Sequence, residues 1–392
     1  MSAPPAAPLS AKAALARLIA FPTVSAASNL DLLDWVETTL APLGARFRRF
    51  PSPDGTKANL FASIGPDAPG GLVLSGHTDV VPTAGQDWSG DPFVMREDNG
   101  RLIGRGATDM KGFLACCIAA AQSVATLPLV KPLHLAFSYD EEVGCTGVWP
   151  MAEWLGGSGL SPQLAVIGEP SSLQVIDAHK GGLIGWTTVT GKPGHSSQPD
   201  RYVNAVMVAG ELIAFINGLR REFAAGGRHE GLDPPYSTIQ VNIINGGLHG
   251  NIVAESCRFF WEMRVIPGVD AHDVLARIED FARVTLEPAM KAIDPGCGIA
   301  FEVQAHIPPL APNADRGAET MLMDLVGQTT PLKVPYGTEA GIFQRFGTPA
   351  VVCGPGDIAQ AHQPDEFIEE AELEHCVALI TRLAEERLCS VT

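Results

Sequence analysis

Short apolar runs that end in glycine or in acidic residues alternate along this chain with segments whose apolar positions recur at helical spacing. Residues 10–40 carry two amphipathic helical patterns, parted by Pro22 and a Ser-Ala-Ala-Ser turn. Residues 47–50, 59–64 and 72–75 read as short strands, and a helix rich in small residues runs from Phe113 to about Thr126. Further strands are expected over 132–139 and 163–167. Strands alternating with helices predict an α/β sheet, with function concentrated outside the carboxyl ends of its strands.

From about His179 the texture changes. A strand at 183–190, a helix at 202–219, strands at 238–244 and 258–265 and a helix from Asp270 to about Met290 follow one another. This β-α-β-β-α order predicts a separate four-stranded α+β layer inserted into the first domain. Past Pro295 the alternation resumes with a strand at 299–303, a helix at 316–326, a central strand at 349–352 and a last helix at 370–388. The expected organisation is a first domain in two parts, 1–178 and 295–392, around an insertion at 179–294.

The 392 residues are 46% hydrophobic and 18% charged, which supports a sizeable core and excludes a disordered chain. A net charge of −17 argues against nucleic acid and anionic membrane as partners, since both need basic patches. The eight cysteines show neither a disulfide framework nor paired zinc spacing, so a reducing cytoplasm is the expected compartment. Residues 1–21 lack a basic region and a sustained apolar run, and read as a first surface helix, not a signal peptide. The most apolar stretch, 113–130, is interrupted by Gln122, Ser123 and Pro128 and reads as a buried helix.

The candidate chemistry centres on Asp109, a lone carboxylate among the glycines of Gly104-Arg105-Gly106-Ala107-Thr108-Asp109-Met110-Lys111-Gly112. Taken alone it reads as a cap of the following helix. An anion there would repel a pyrophosphate, which excludes a dinucleotide fingerprint. His77 and Asp79 stand two apart at a strand end, Asp140-Glu141-Glu142 closes the next strand, and Gly168-Glu169-Pro170 closes another. His362 lies on a loop rich in glycine and proline after a core strand, whereas His134 falls inside a strand pattern and reads as a core residue. Each acid could equally be a solvated turn residue; their repetition at strand ends is the signal. Two His, a shared Asp and two Glu make a dinuclear metal site, in which Asp109, Glu142 and Glu169 offset most of the charge of two divalent ions. Oxygen and imidazole donors suit zinc, with cobalt or manganese as substitutes.

Together Gly76-His77-Thr78-Asp79, the Asp109 stretch, Asp140-Glu141-Glu142, Gly168-Glu169-Pro170, Gly194-His195-Ser196 and the His362 loop resemble the acetylornithine deacetylase/succinyl-diaminopimelate desuccinylase family of dinuclear zinc amidohydrolases. The resemblance implies a mixed-sheet, zinc-peptidase-like catalytic domain with an inserted dimerisation or lid domain. It implies that His77 and Glu169 hold one zinc, Glu142 and His362 the other, and that Asp109 bridges. It further implies that Asp79 orients His77 and that Glu141 is the general base. His195 would reach across a homodimer to the oxyanion. Asn251, Arg264, Gly337 and Thr338 would line the substrate site, and Glu339 would pair with a substrate amine. Pro335 to Gly341 and Cys353 to Glu366 resemble the acetylornithine deacetylase branch, which implies a small N-acyl amino acid substrate, N2-acetylornithine, and a role in arginine biosynthesis. A desuccinylase, aminoacylase or dipeptidase of the same fold is the alternative, and a non-catalytic metal-binding relative is the alternative from another class.

Overall fold

The computed structural model describes residues 8–390; the expectation for residues 1–7 lies outside them. One compact unit comprises the chain up to Ala178 with Leu310–Lys333 and the segment from Thr338 onward; the other comprises His179–Pro309 and Val334–Gly337.

The first unit is built on an eight-stranded mixed sheet. Its four middle strands lie side by side in the order Leu133–Ser138, Leu72–His77, Leu164–Pro170 and Ala350–Gly354, and all run parallel. Every residue of these four is buried, which is why they read as unbroken apolar runs without alternation. Running parallel, they deliver their carboxyl ends to one rim.

Helix Lys111–Val124 is buried on nearly every side, and its small residues let helices Ala11–Ile19 and Glu370–Leu388 pack closely against it. Two glycines set its height over the sheet. A Cβ on Gly76 would lie 2.5 Å from Met110 Cε, and one on Gly168 would lie 2.0 Å from the ring of Phe113. Both strands therefore touch the first turn of this helix near their carboxyl ends, beside Asp109. Two elements here carry little sequence signal. A three-stranded sheet of Arg96–Asp98, Arg101–Ile103 and Phe367–Glu369 ties the start of the Asp109 loop to the end of the His362 loop. Helix Trp149–Gly157 follows the acid-rich turn.

The second unit is a four-stranded antiparallel sheet in the order Thr238–Gly246, Ser256–Val265, Gly181–Thr190 and Gly298–Ile307, with helices Ala205–Ala225 and Ala271–Phe281 packed on it. The strand Gly298–Ile307, placed by the sequence after a return at Pro295, thus belongs to this sheet, and the chain crosses back at Leu310. As an edge strand with few buried side chains, it carries little apolar pattern that ties it to either sheet. The expected helix from 270 is present as Ala271–Phe281, and it continues through a π-helical turn into Glu287–Ile293. No helix among the described residues is long and apolar enough to cross a membrane.

The contact at Gly168 gives a direct check. Gly168→Ala is expected to destabilise the fold by about 1–3 kcal/mol through overpacking against Phe113, read as a lower urea midpoint at unchanged slope. An unchanged midpoint would contradict the packing described.

Candidate metal centre

Each candidate ligand arrives at the same rim by a different strand. His77 ends its strand, Glu169 stands one residue before the end of its own, and Asp140-Glu141-Glu142 follows the strand Leu133–Ser138. His362 lies beyond the strand Ala350–Gly354 with a left-handed backbone, φ +62°. Asp109 precedes the helix packed over these strands.

Asp109 is shared between two clusters. Its Oδ1 lies 3.0 Å from His77 Nε2, and its Oδ2 lies 3.2 Å from His362 Nε2. Glu169 Oε1 stands 3.9 Å from His77 Nε2, and Glu142 Oε2 stands 3.0 Å from His362 Nε2. Potential ligand atoms of His77, Glu141 and Glu169 all lie within 4.8 Å of one another, as do those of His77, Asp109 and Glu142. Glu142 Oε1 and Glu169 Oε1 are buried with no hydrogen-bond partner. A carboxylate oxygen so placed is costly unless a cation faces it. Imidazole and carboxylate donors converging around such oxygens fit divalent metal ions.

The electrostatics follow from crowding. Burial alone would raise the Asp109 carboxyl, but hydrogen bonds from His362 and His77 hold it well below the usual range. His362, bonded to Asp109 and Glu142, is pushed up to about 10. Burial and the neighbouring acids drive Glu169 upward, and burial pushes Glu141 up to about 8 although His77 opposes it. Divalent cations beside these groups act in the opposite sense and favour their charged forms.

Asp79 meets His77 through its backbone. The His77 Nδ1–H donates to the Asp79 carbonyl at 2.9 Å, which fixes the tautomer and leaves Nε2 facing Asp109. The Asp79 carboxylate lies 3.6 Å from that nitrogen and has other work. It accepts from the backbone N–H groups of Glu141 and Glu142 at 3.2 and 3.3 Å, and from Ser25 Oγ at 2.6 Å. Asp79 therefore holds the turn that carries both glutamates.

Both carboxylate oxygens of Glu339 are buried, and burial pushes the group up to about 7. Its neighbour Thr338 is also buried and accepts from the N–H of Ala340 at 3.1 Å. In the second unit, His195 and Ile252 pair across a short ribbon, and Ser196 N–H donates to Asn251 carbonyl at 3.2 Å. That ribbon brings His195 and Asn251 together. Arg264 sits apart on the strand Ser256–Val265, its Nε 3.2 Å from Glu262, and Gly337 packs against Ile307. His134 is a core residue, bonded to Ser63 at 2.8 Å.

Ser25, Gln86, Arg105, Cys145 and Glu366 escape sequence reasoning. Cys145 Sγ–H donates to Glu141 Oε1 at 3.2 Å. Glu366 had a visible signal, an acid closing the same short loop as His362, but its partners lie some 260 residues away.

The profile of peptidase family M20/M25/M40 matches residues 73–386. The chain belongs to that family. It is an M20 metallohydrolase, and its relatives bear this out along nearly the whole length. An acetylornithine deacetylase from Proteus mirabilis is 36% identical over 376 residues, 94% of each chain. One from Yersinia pseudotuberculosis is 36% identical over 379 residues, 94% of this chain and 95% of its own. Among solved M20 structures, a metallo-carboxypeptidase from Sulfolobus solfataricus shares the fold with a TM-score of 0.72 at 19% identity, covering 95% of this chain and 97% of that one. A Bacillus subtilis protein described as a dinuclear metal binding peptidase shares it with a TM-score of 0.63 at 14% identity, covering 95% and 97%.

The raised His362 sets the sign of a pH effect. With its proton held up to about pH 10, the imidazole is charged at neutral pH and has no lone pair to offer an ion. Loading metal-stripped protein with zinc at pH 7 should therefore release protons, on the order of one per ion, and affinity should fall as pH is lowered. Calorimetry in buffers of different ionisation enthalpy measures this; heats independent of buffer would contradict it.

Proposed function

We propose that this M20 hydrolase removes the acetyl group of N2-acetylornithine, giving ornithine and acetate on the route to arginine. Zinc is the proposed metal, two ions per chain with Asp109 shared, His77 and Glu169 on one side and Glu142 and His362 on the other; cobalt or manganese would substitute. The observation that carries the reading is the arrangement of Asp109, with one oxygen toward each histidine and Glu141 grouped with His77 and Glu169. The choice of substrate is supported by relatives named acetylornithine deacetylase at 36% identity over 94% of the chain.

Divalent ions at this site supply Lewis acidity toward the amide carbonyl and make water a better nucleophile at neutral pH. Glu141 takes the proton from the attacking water and passes it to the leaving nitrogen as the C–N bond breaks. Asp79 keeps Glu141 in reach by holding its backbone N–H, and the Cys145 thiol steadies one carboxylate oxygen. Arg264 would pair with the substrate carboxylate, with Asn251, Gly337 and Thr338 lining the site. His195 would steady the tetrahedral oxyanion from a second copy of the chain. Support for such a homodimer lies in the second unit's edge strand Thr238–Gly246, where Ile243 and Ile244 are about half exposed, and in the exposed Met207 of the helix Ala205–Ala225 that packs on this strand. The eight cysteines are free, which supports a cytoplasmic location.

A panel of N-acetylornithine, N-succinyl-diaminopimelate, neutral N-acetyl amino acids and dipeptides, assayed with zinc or cobalt, tests the substrate. The highest kcat/KM is expected for N-acetylornithine, and a dipeptide or succinyl preference would overturn the assignment. Glu141→Ala should bind the same amount of metal yet lose at least ~10²-fold in kcat. Near-normal turnover would remove Glu141 from its role.

A further inference from the structure

We infer that the buried Arg105–Glu366 pair and the half-buried Gln86 form a brace that sets the spacing between Asp109 and His362, and so the affinity for the ion held between them; the inference rests on the two-ion reading above. Glu366 is 1% exposed, and its carboxylate is fully engaged on loop 104–109. Oε1 accepts the N–H groups of Thr108 and Asp109 at 2.9 and 3.0 Å. Oε2 accepts the N–H of Gly106 at 3.1 Å and Arg105 Nη1 at 2.6 Å. With both oxygens saturated, Glu366 is not itself a metal ligand; it fixes the backbone from which Asp109 projects.

Arg105 carries the link onward. Its guanidinium is 1% exposed, lies 5.0 Å from the centre of the Trp88 ring, and donates its Nη2 to Gln86 Oε1. Gln86 Nε2 in turn donates to the carbonyl of His362 at 2.8 Å. His362 holds a left-handed backbone, which a residue with a side chain keeps only where its surroundings impose it. The path thus runs from the N–H of Asp109 through a buried ion pair and an amide to the backbone of His362. A buried ion pair is weak evidence of stability for its own sake, because apolar residues of similar volume often do as well. Here the bonds of the pair end on the Asp109 loop and on Gln86, and Gln86, which also accepts from Trp88 Nε1–H at 3.0 Å, carries the link to the His362 loop. Residues that orient a ligand typically contribute 10–100-fold to metal affinity.

The bonds also predict asymmetry. Gln86 touches the His362 loop and not the strands that carry His77 and Glu169. Gln86→Glu keeps an acceptor for Arg105 but sets an oxygen against the His362 carbonyl. Glu366→Gln halves the acceptors on the Asp109 loop. Chelator-stripped full-length protein is titrated with Co²⁺, followed by calorimetry and by visible absorbance, with circular dichroism to confirm folding. Wild type should bind two ions in resolvable steps. Gln86→Glu should weaken one step by roughly 10–100-fold and leave the other unchanged, and Glu366→Gln should weaken both steps because Asp109 is shared. Fewer than two ions in wild type would overturn the two-ion reading before any variant is tested. Two intact steps in Gln86→Glu, or equal weakening of both, would overturn the brace alone. If Glu366→Gln does not fold, Gln86→Glu decides by itself.

Discussion

Negative charge held out of water is the constraint on which this catalytic unit depends. Asp79, Asp109 and Glu169 are nearly inaccessible, the Glu142 side chain is 6% exposed, and Glu141 and Glu339 press against the same group. Two imidazoles, His77 and His362, stand among these acids. Such a cluster cannot keep all its charges on its own; it takes up protons or it takes up cations. The directions of the perturbations say the same. Histidines are driven up, Glu141 and Glu169 are driven up, and Asp109, bonded by both histidines, is held low. A site that must compensate itself with protons when empty is one that binds divalent ions with proton release.

The scaffold makes that crowding affordable by fixing it from several directions. Parallel strands bring His77, the Glu141–Glu142 turn and Glu169 to one rim, while glycines at 76 and 168 lower the Asp109 helix onto the strand ends. Asp79 then holds the glutamate turn through two backbone N–H groups, and Glu366 holds the Asp109 loop through three. Acids thus serve in two capacities. Those with free oxygens face the clusters, and those whose oxygens are filled by N–H donors position them.

The core strands and the rim acids were legible in the sequence, because buried parallel strands are unbroken apolar runs and acids at their ends stand out. Pairing at a distance was not. Phe367–Glu369 joins Arg101–Ile103 through backbone bonds that leave no local period, and Glu366 reaches a loop some 260 residues earlier. The strand Gly298–Ile307 pairs in the second unit's sheet and not in the first's, which the sequence does not reveal because an edge strand with little buried surface lacks a pattern that names its sheet.

The central claim is that two cations share Asp109. Anomalous diffraction at the zinc edge, from crystals grown with zinc, tests it most directly. Two peaks should flank the Asp109 carboxylate, about 3.5–4 Å apart, one beside His77 and Glu169 and the other beside Glu142 and His362. A single peak, or none within reach of Asp109, would contradict the account.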